Sequence, residues 1–213
     1  MDQAIVMEDL HKAFGKEEIL HGISHAFEAG KIHGIIGNNG SGKTVMMKCI
    51  CGFLRPDQGH VRVGGKEVGK DIDFPDDMGI IIETPGFLPG ITGLRNLKLL
   101  ASLRDMADEE KIRKTILRVG LDPELKKPVS KYSLGMRQRL GIAQAIMEDP
   151  ALLILDEPFN GLDKHGVAQI RSLIKELREE GKTILLASHN QTDIDELCDT
   201  VCEMDAGRLT VLR

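Results

Sequence analysis

The chain has 213 residues, 41% hydrophobic and 29% charged, which is the composition of a globular protein and excludes wholesale disorder or a fibrous repeat. Its 33 acidic and 28 basic residues leave a net charge of −5, so no overall attraction draws nucleic acid or anionic lipid to it. Aromatic residues are only six Phe and one Tyr, which argues against a stacking platform for single-stranded nucleic acid.

The sequence shows no secretory signal and no membrane-spanning stretch, and its cysteines fit reduced thiols; both observations indicate an intracellular protein. No stretch approaches the ~18 to 20 consecutive apolar residues that cross a bilayer, and the N-terminal residues lack the apolar core of a secretory signal. We therefore expect a cytosolic protein. A metal or redox role for the cysteines would need partners brought together by the fold, so we expect reduced, mostly buried thiols. The cysteines are Cys49, Cys51, Cys198 and Cys202.

Short apolar runs alternate with amphipathic stretches, which is typical of an α/β layered fold. Fully apolar runs indicate central parallel strands, and looser alternation indicates antiparallel edge strands. In chain order, the predicted elements are antiparallel edge strands in 4–30, a strand over 32–36, a helix over 44–54, strands over 78–82 and 152–155, a helix over 164–180, a strand over 183–188, and antiparallel edge strands in 200–213 with a turn at 205–208.

The middle of the chain differs, because no strand-like run occurs between about residues 90 and 148. We predict one domain over 1–213, in which an α/β core from 1–89 and 149–213 receives an inserted helical subdomain, 90–148. The three helical patterns of this insertion cover 94–103, 109–119 and 135–147.

A glycine-rich segment between the strand over 32–36 and the following helix fits the phosphate-loop pattern G-x-x-x-x-G-K-[ST]. Glycines let the backbone wrap closely around phosphate oxygens, and the helix N-terminus adds partial positive charge. Lys43 would reach the terminal phosphates of a nucleoside triphosphate, and the Thr44 hydroxyl would face Mg²⁺. The alternative is a chance glycine turn before a helix. The loop residues are Gly37, Asn38, Asn39, Gly40, Ser41, Gly42, Lys43 and Thr44.

Two carboxylates, Asp156 and Glu157, follow the apolar run 152–155. They stand at the carboxyl end of a predicted central strand, where ligands bind in open α/β sheets. Asp156 suits a Mg²⁺ ligand, either direct or through water. Glu157 is placed to polarise an attacking water. A solvated acidic pair is the alternative, but a neighbouring phosphate loop favours the catalytic interpretation.

Together with these two elements, four further motifs resemble those of the ATP-binding subunits of ABC transporters, in the order that the family has them and along essentially the whole chain. A phosphate loop and an acidic strand end alone would not separate this family from kinases or GTPases. The four motifs are Leu10–Gly15, similar to the aromatic loop; Tyr132–Met136 running into Arg137–Ala143, similar to the signature and its helix; Asn160–Asp163, similar to the loop after the acidic strand; and Ser188-His189, similar to the switch histidine.

The resemblance implies a head-to-tail dimer that encloses two ATP molecules, each between the phosphate loop of one subunit and the signature of the other. Ser133 and Gly135 would hold the γ-phosphate through helix N-terminal amides, although Ser133 also suits a plain N-cap. His189 would contact the γ-phosphate, and Phe14 would stack on adenine, although a lone His is more often structural and a lone Phe more often core. Asp163 would act across the dimer interface, or simply cap the following helix.

The signature departs from the family's usual Leu-Ser-Gly-Gly-Gln. Tyr132, Leu134 and Met136 replace its first, third and fifth members, while Ser133 and Gly135 remain. We therefore expect the phosphate contact to be kept and the neighbouring fit to change.

A second departure is Glu83, where the family normally has glutamine. A carboxylate is a stronger Mg²⁺ ligand than an amide, but it repels the γ-phosphate by about 1 kcal/mol at about 4 Å in water. We expect Glu83 to lie next to the metal. The stretch Glu83–Phe87 and the signature together resemble the bacitracin-resistance and lantibiotic self-protection branch.

The resemblance thus implies an ATP hydrolase that dimerises around two Mg-ATP and powers a separate membrane permease, with export of an antimicrobial peptide or drug-like substrate. The permease would dock near Glu83–Gly93, lined by Phe87 and Leu88, and hold the chain at the inner face of the cell membrane. Nucleic acid is not an expected partner. Two alternatives stay open: a non-transport ABC-type ATPase acting on nucleic acid or ribosomes, and a P-loop kinase of small molecules.

Overall fold

The computed structural model describes residues 2–104 and 106–213, so Met1 and Asp105, which fall inside the predicted domain ranges, lie outside the described residues. The α/β fold predicted from the sequence is confirmed, with two sheets and six α-helices in the described part. The strands are β1 (Gln3–Phe14), β2 (Glu17–Glu28), β3 (Ile32–Ile36), β4 (Gln58–Val63), β5 (Lys66–Glu67), β6 (Met78–Ile81), β7 (Leu152–Asp156), β8 (Thr183–Ala187), β9 (Thr200–Asp205) and β10 (Arg208–Val211). The helices are α1 (Lys43–Ile50), α2 (Gly93–Ala101), α3 (Glu109–Arg118), α4 (Leu134–Ile146), α5 (Lys164–Glu179) and α6 (Gln191–Leu197).

The central sheet has six strands in the order β10-β9-β3-β8-β7-β6. The pairs β9–β3, β3–β8, β8–β7 and β7–β6 are parallel. Because parallel strands put all their carboxyl ends at one edge, the segments that follow β3 and β7 meet there. This edge is where the phosphate loop and the two carboxylates converge.

The prediction that 200–213 forms only antiparallel edge strands is wrong for β9. This strand pairs in parallel with β3, with Thr200 opposite His33, and only β10 is antiparallel to it. Helix α6, which the sequence patterns did not reveal, lies between β8 and β9 and makes the parallel return possible. The predicted turn at 205–208 is confirmed: Ala206 and Gly207 have φ of 41° and 75°, as a tight hairpin turn requires.

The predicted antiparallel edge strands in 4–30 are β1 and β2, which pair along most of their length. They belong to a second sheet of order β2-β1-β4-β5, whose last two strands were missed from the sequence. Both are short and carry polar residues, including His60 and Arg62 in β4, so neither periodicity nor apolar content marked them.

The buried strands serve two cores at once, which explains their fully apolar sequences. In β7, Leu153 and Leu155 join the cluster that includes residues of α2–α5, while Leu152 and Ile154 join the cluster beneath the antiparallel sheet and α1. Successive side chains of a strand point to opposite faces. A strand covered on both faces therefore has no polar position to alternate with.

The helices over 90–148 agree with the predicted patterns to within one or two residues, and no strand occurs among the described residues of that range. The helix predicted over 44–54 is shorter and ends at Ile50. Gly52 ends it because its φ is 81°, and a Cβ there would lie 2.3 Å from the Asp73 carbonyl oxygen.

The four cysteines are free and buried, which confirms the predicted reduced thiols. Burial raises the thiol pKa to about 11 for Cys49 and Cys202, and to about 12 for Cys51 and Cys198. Thiols in this range are not nucleophiles at neutral pH. Among the described residues, none of the helices combines the length and apolar composition that a bilayer span requires.

Candidate functional site

The loop between β3 and α1 is shaped by three glycines. Gly37, Gly40 and Gly42 have φ of 142°, 81° and 106°, which L side chains rarely adopt. A Cβ on Gly37 would lie 2.1 Å from the Met204 carbonyl oxygen, while Gly40 has open space on that side. The backbone therefore bends tightly against the sheet and presents one open face.

Two polar side chains of this loop, those of Lys43 and Ser41, are buried. Lys43 Nζ donates to the carbonyl oxygens of Gly37 and Asn38, at 2.7 and 2.9 Å, although the residue is only 8% exposed. The Ser41 hydroxyl is buried and has no hydrogen-bond partner in the described part of the chain. Among the residues that the structure describes, no carboxylate pairs with the Lys43 ammonium. A buried ammonium of this kind and an unpaired hydroxyl both suit a phosphate ligand.

Asp156 and Thr44 form the candidate metal position. Thr44 Oγ1 donates to Asp156 Oδ2 at 2.9 Å. Burial raises the pKa of the Asp156 carboxyl, whereas Thr44, Lys43 and Lys48 oppose that rise and Glu83 adds to it. A divalent cation would compensate a buried carboxylate of this kind. The donor set of hydroxyl and carboxylate oxygens is the one that Mg²⁺ prefers.

Glu157 directly follows β7, and its backbone does not have the extended conformation of a strand. Its φ is 50°, and its amide still donates to the Ala187 carbonyl of β8 at 2.9 Å. Gln138 of α4 donates to the Glu157 carbonyl at 3.2 Å. Positive φ is unusual for a non-glycine residue and marks sites where the surroundings impose the geometry. The backbone of the predicted base is thus held by contacts with two other elements, β8 and α4.

The two predicted catalytic residues are in direct contact. His189 Nδ1 lies 2.8 Å from Glu157 Oε2, and the histidine side chain is 71% exposed while the glutamate is 22% exposed. One ring nitrogen is therefore occupied by the carboxylate and the other is free to face a ligand.

A buried ion pair, which the sequence did not reveal, supports the loop that carries His189. Ser188 Oγ donates to Asp193 Oδ2 at 3.0 Å and accepts from the Asn190 amide at 3.1 Å. Asp193, whose side chain is 2% exposed, also accepts from Arg171 Nε at 2.8 Å. Arg171 lies on α5 and Asp193 on α6, so the ion pair joins these two helices, and Ser188 connects the loop to it. No local spacing signals a contact between residues 22 positions apart.

A cavity of about 390 Å³ lies over the phosphate loop. Phe14 is half exposed at the end of β1 and borders this cavity, together with Ile19 on β2, which the sequence analysis did not identify. The cavity is lined by Phe14, Ile19, Asn39, Gly40, Gly42, Lys43, Thr44, Val45, Asp156 and Glu157.

A larger cavity of about 850 Å³ lies at the amino ends of the central strands, bordered by Asp77, Ala151 and Thr183. None of the predicted site residues lines it. We assign the site to the smaller cavity because Lys43, Thr44 and both carboxylates, Asp156 and Glu157, line it.

The signature residues do not line that cavity. Ser133 is exposed and caps α4, accepting from the Met136 amide at 3.2 Å. Gly135 touches the loop after β7, since a Cβ there would lie 2.6 Å from the Gly161 carbonyl oxygen. Asp163 caps α5, accepting from the Gly166 amide at 2.8 Å. The capping roles considered for Ser133 and Asp163 are therefore present.

Glu83 lies just past β6 with φ of 61° and a side chain that is 64% exposed. Its Oε1 pairs with Lys48 Nζ at 2.5 Å. Lys48 follows Thr44 by one helical turn of α1, and this spacing is visible in the sequence. The sequence does not show that Glu83 is the partner of Lys48.

The segment after Glu83 is anchored to α2 by the buried Asn96, whose side-chain oxygen accepts from the Leu88 amide at 2.8 Å and whose side-chain nitrogen donates to the Leu88 carbonyl at 3.1 Å. Phe87 packs partly against the core, while the Leu88 side chain is left exposed. The segment thus has a fixed backbone and one free apolar side chain.

Fold and site together define a nucleotide-binding protein of the phosphate-loop class, with the loop at the carboxyl edge of the parallel strands. Among known protein families, the ABC transporter family matches residues 20–160 of the chain. The chain belongs to this family and is an ATP-binding, ATP-hydrolysing subunit of an ABC transporter. Membership disfavours the small-molecule kinase considered from the sequence.

Curated relatives agree with the predicted branch. The chain is 43% identical to the bacitracin transport ATP-binding protein BcrA of Enterococcus faecalis, over 98% of this chain and 68% of BcrA. It is 43% identical to an uncharacterised ABC transporter ATP-binding protein, YybJ of Bacillus subtilis, over 94% of this chain and 92% of YybJ. It is 34% identical to the lantibiotic transport ATP-binding protein SrtF of Streptococcus pyogenes, over 95% of this chain and 87% of SrtF.

Solved structures share the fold. An ATP-binding subunit of an ABC transporter superposes with a TM-score of 0.88 at 25% identity, covering 98% of this chain and 90% of that one. A dimeric ATP-binding cassette, MJ0796 with ADP and Pi, superposes with a TM-score of 0.87 at 21% identity, covering 98% and 99%. The second likeness concerns the fold alone.

Proposed function

We propose that two copies of this chain close head to tail around two Mg-ATP, and that hydrolysis reopens the pair and drives a separate membrane permease. One observation carries the proposal. Ser133, at the N-terminus of α4, is exposed and lies outside the cavity that contains Lys43 and Glu157. A helix N-terminus can bind an anion, and Ser133 is not among the described residues that line this chain's own cavity. A second copy would bring its own Ser133 to that open cavity.

In this proposal the nucleotide triphosphate lies along the phosphate loop. Lys43 and the loop amides would bind the phosphates, and Ser41 would gain the partner that it lacks. Phe14 would stack on the adenine ring, because its side chain is half exposed. Lys12, also on β1, has its Nζ 5.7 Å from the centre of the Phe14 ring.

Hydrolysis is assigned to Glu157 and His189. Glu157 would orient and deprotonate the attacking water, and His189 would hold that carboxylate through Nδ1 while its other nitrogen faces the γ-phosphate. Mg²⁺, when bound, neutralises phosphate charge. Thr44 and Asp156 would hold it, with Glu83 beside them.

The permease would contact the segment Glu83–Gly93. Leu88 is 57% exposed on a backbone fixed by Asn96, so an apolar side chain is available without reordering the loop. This docking would place the chain at the cytoplasmic face of the membrane. Since BcrA and SrtF are named for bacitracin and lantibiotic transport, we propose export of an antimicrobial peptide or similar drug-like substrate.

A mixing experiment tests the shared site. Lys43→Met removes the phosphate lysine, and Ser133→Asp keeps a helix N-cap while placing a negative charge against the phosphate. Each variant alone should lose ATP hydrolysis. In a one-to-one mixture half of the dimers are mixed, and each has one intact site, so phosphate release should return to about a quarter of the native rate.

The control for this mixture is Ser133→Asn, which caps the helix without adding charge and should retain most activity. A mixture of Lys43→Met with Ser133→Asp that stays inactive, although both proteins are folded, would argue against a site shared between subunits. Transfer of phosphate to a small molecule in place of release would argue against the whole function.

Glu83→Gln should leave ATP affinity within about threefold and should raise the Mg²⁺ concentration for half-maximal turnover, by about three- to tenfold. An amide is a weaker ligand for Mg²⁺ than a carboxylate. Phosphate release is measured across a Mg²⁺ titration at saturating ATP. Superimposable titrations of the native and variant proteins would place Glu83 away from the metal.

A further inference from the structure

Lys48 and Glu83 form an ion pair that the proposed mechanism does not use. The ammonium and carboxylate lie 2.5 Å apart, joining α1 to the segment after β6. Both side chains are partly exposed, so the contribution of the pair to folding is small. Its position suggests another role, because both residues lie beside the phosphate-binding elements.

The geometry of α1 places this pair next to the metal position. Thr44 and Lys48 are one helical turn apart, so their side chains lie on the same face of α1. Thr44 bonds Asp156, and Lys48 bonds Glu83. The charges of Glu83 and Lys48 also act on Asp156, with opposite signs. The Lys48–Glu83 ion pair therefore lies one helical turn along α1 from the Thr44–Asp156 hydrogen bond.

Glu83 brings a negative charge to a site that must accept the phosphates of ATP. An uncompensated carboxylate there would repel a terminal phosphate, and the repulsion grows as water is excluded. Glu83 has a φ of 61°, in the left-handed region, and its carboxylate contacts Lys48 on α1. Among the described residues, the cation in contact with this carboxylate is the Lys48 ammonium.

We propose that Lys48 is this cation: it holds the Glu83 carboxylate before the metal arrives and makes the site able to accept a γ-phosphate. Lys48 is a positioning residue that acts through Glu83. The inference rests on the proposed function. Loss of Lys48 should therefore weaken the binding of ATP more than that of ADP, because the diphosphate has no γ-phosphate for the carboxylate to repel.

The test measures nucleotide affinity by displacement of a fluorescent nucleotide, in EDTA and with Mg²⁺. In EDTA, Lys48→Met should weaken ATP binding by about three- to tenfold and ADP binding by less than about twofold. Adding Glu83→Gln to Lys48→Met removes the uncompensated charge and should return ATP affinity to within about twofold of native. Mg²⁺ should shrink the defect of Lys48→Met, since the metal compensates the same carboxylate.

The matched control is Lys98→Met, which breaks a similar helix lysine–glutamate pair, also at 2.5 Å, between Lys98 and Glu109 in the helical region. It should leave the ratio of ATP to ADP affinity unchanged. Equal losses of ATP and ADP affinity in Lys48→Met, or no recovery in the double variant, would overturn the inference and leave Lys48 a packing residue. Failure of the native protein to bind Mg-ATP would overturn the proposed function instead.

Discussion

Glu157→Gln is expected to bind Mg-ATP with near-native affinity and to release phosphate at least about 100-fold more slowly than the native protein. The amide keeps the size of the side chain and can still contact His189 Nδ1, which lies 2.8 Å from Glu157 Oε2 in the native protein. It cannot take the proton of the attacking water. Single-turnover phosphate release separates this loss from a loss of binding.

The same variant should accumulate as a dimer in Mg-ATP, because the bridging nucleotide is no longer removed. Light scattering with Mg-ATP, with Mg-ADP and without nucleotide measures this directly, and only the first condition should double the mass. Glu179→Gln, at the exposed end of α5, serves as the control and should behave as native. Native turnover by Glu157→Gln would remove Glu157 from the catalytic step.

Arg171→Met is expected to lower the free energy of unfolding by about 3 kcal/mol, because it leaves the buried Asp193 carboxylate without its cation. Urea denaturation measures the change. Turnover should fall as well, since Asp193 holds Ser188 next to His189. The affinity for ATP should change less than turnover, because the phosphate loop does not contact this pair.

Arg178→Met is the matched control on the same helix. Its partner, Asp199, is more exposed than Asp193, so the loss should stay below about 1 kcal/mol. The double variant Arg171→Met with Asp193→Asn should recover part of the stability, because the buried charge is gone while a group that can bond Ser188 remains. Equal effects of Arg171→Met and Arg178→Met would show that burial of the pair does not matter.

Local patterns were sufficient for the elements whose chemistry is contiguous. The phosphate loop joins a strand, glycines and a helix N-terminus within a few residues, so the sequence predicts both its conformation and its ligand. The apolar runs of β3, β7 and β8 are equally plain, because strands buried on both faces must be apolar throughout. The family motifs added Ser133, Asp163 and His189, whose assignment to a shared site stays a prediction.

Contacts between distant segments required the folded chain. β9 runs parallel to β3 because α6 carries the chain from the end of β8 back to the edge of the sheet where the parallel strands begin. The alternation of apolar and polar residues in 200–213 indicates neither the helix nor the parallel pairing. Strand β4 is stabilised by pairing with β1, and β5 by pairing with β4, rather than by their own composition. Strand pairing depends on partners far along the chain, which a window of neighbouring residues does not contain.

By itself, then, the amino-acid sequence determined the class of fold, the phosphate loop and the identity of the two carboxylates, because each depends on residues close together in the chain. Only the tertiary structure decided which charges compensate one another. Lys48 meets Glu83 across 35 positions, and Arg171 meets Asp193 across 22. Electrostatic partners are chosen by distance in space, and that distance exists only once the helices have packed on the sheet.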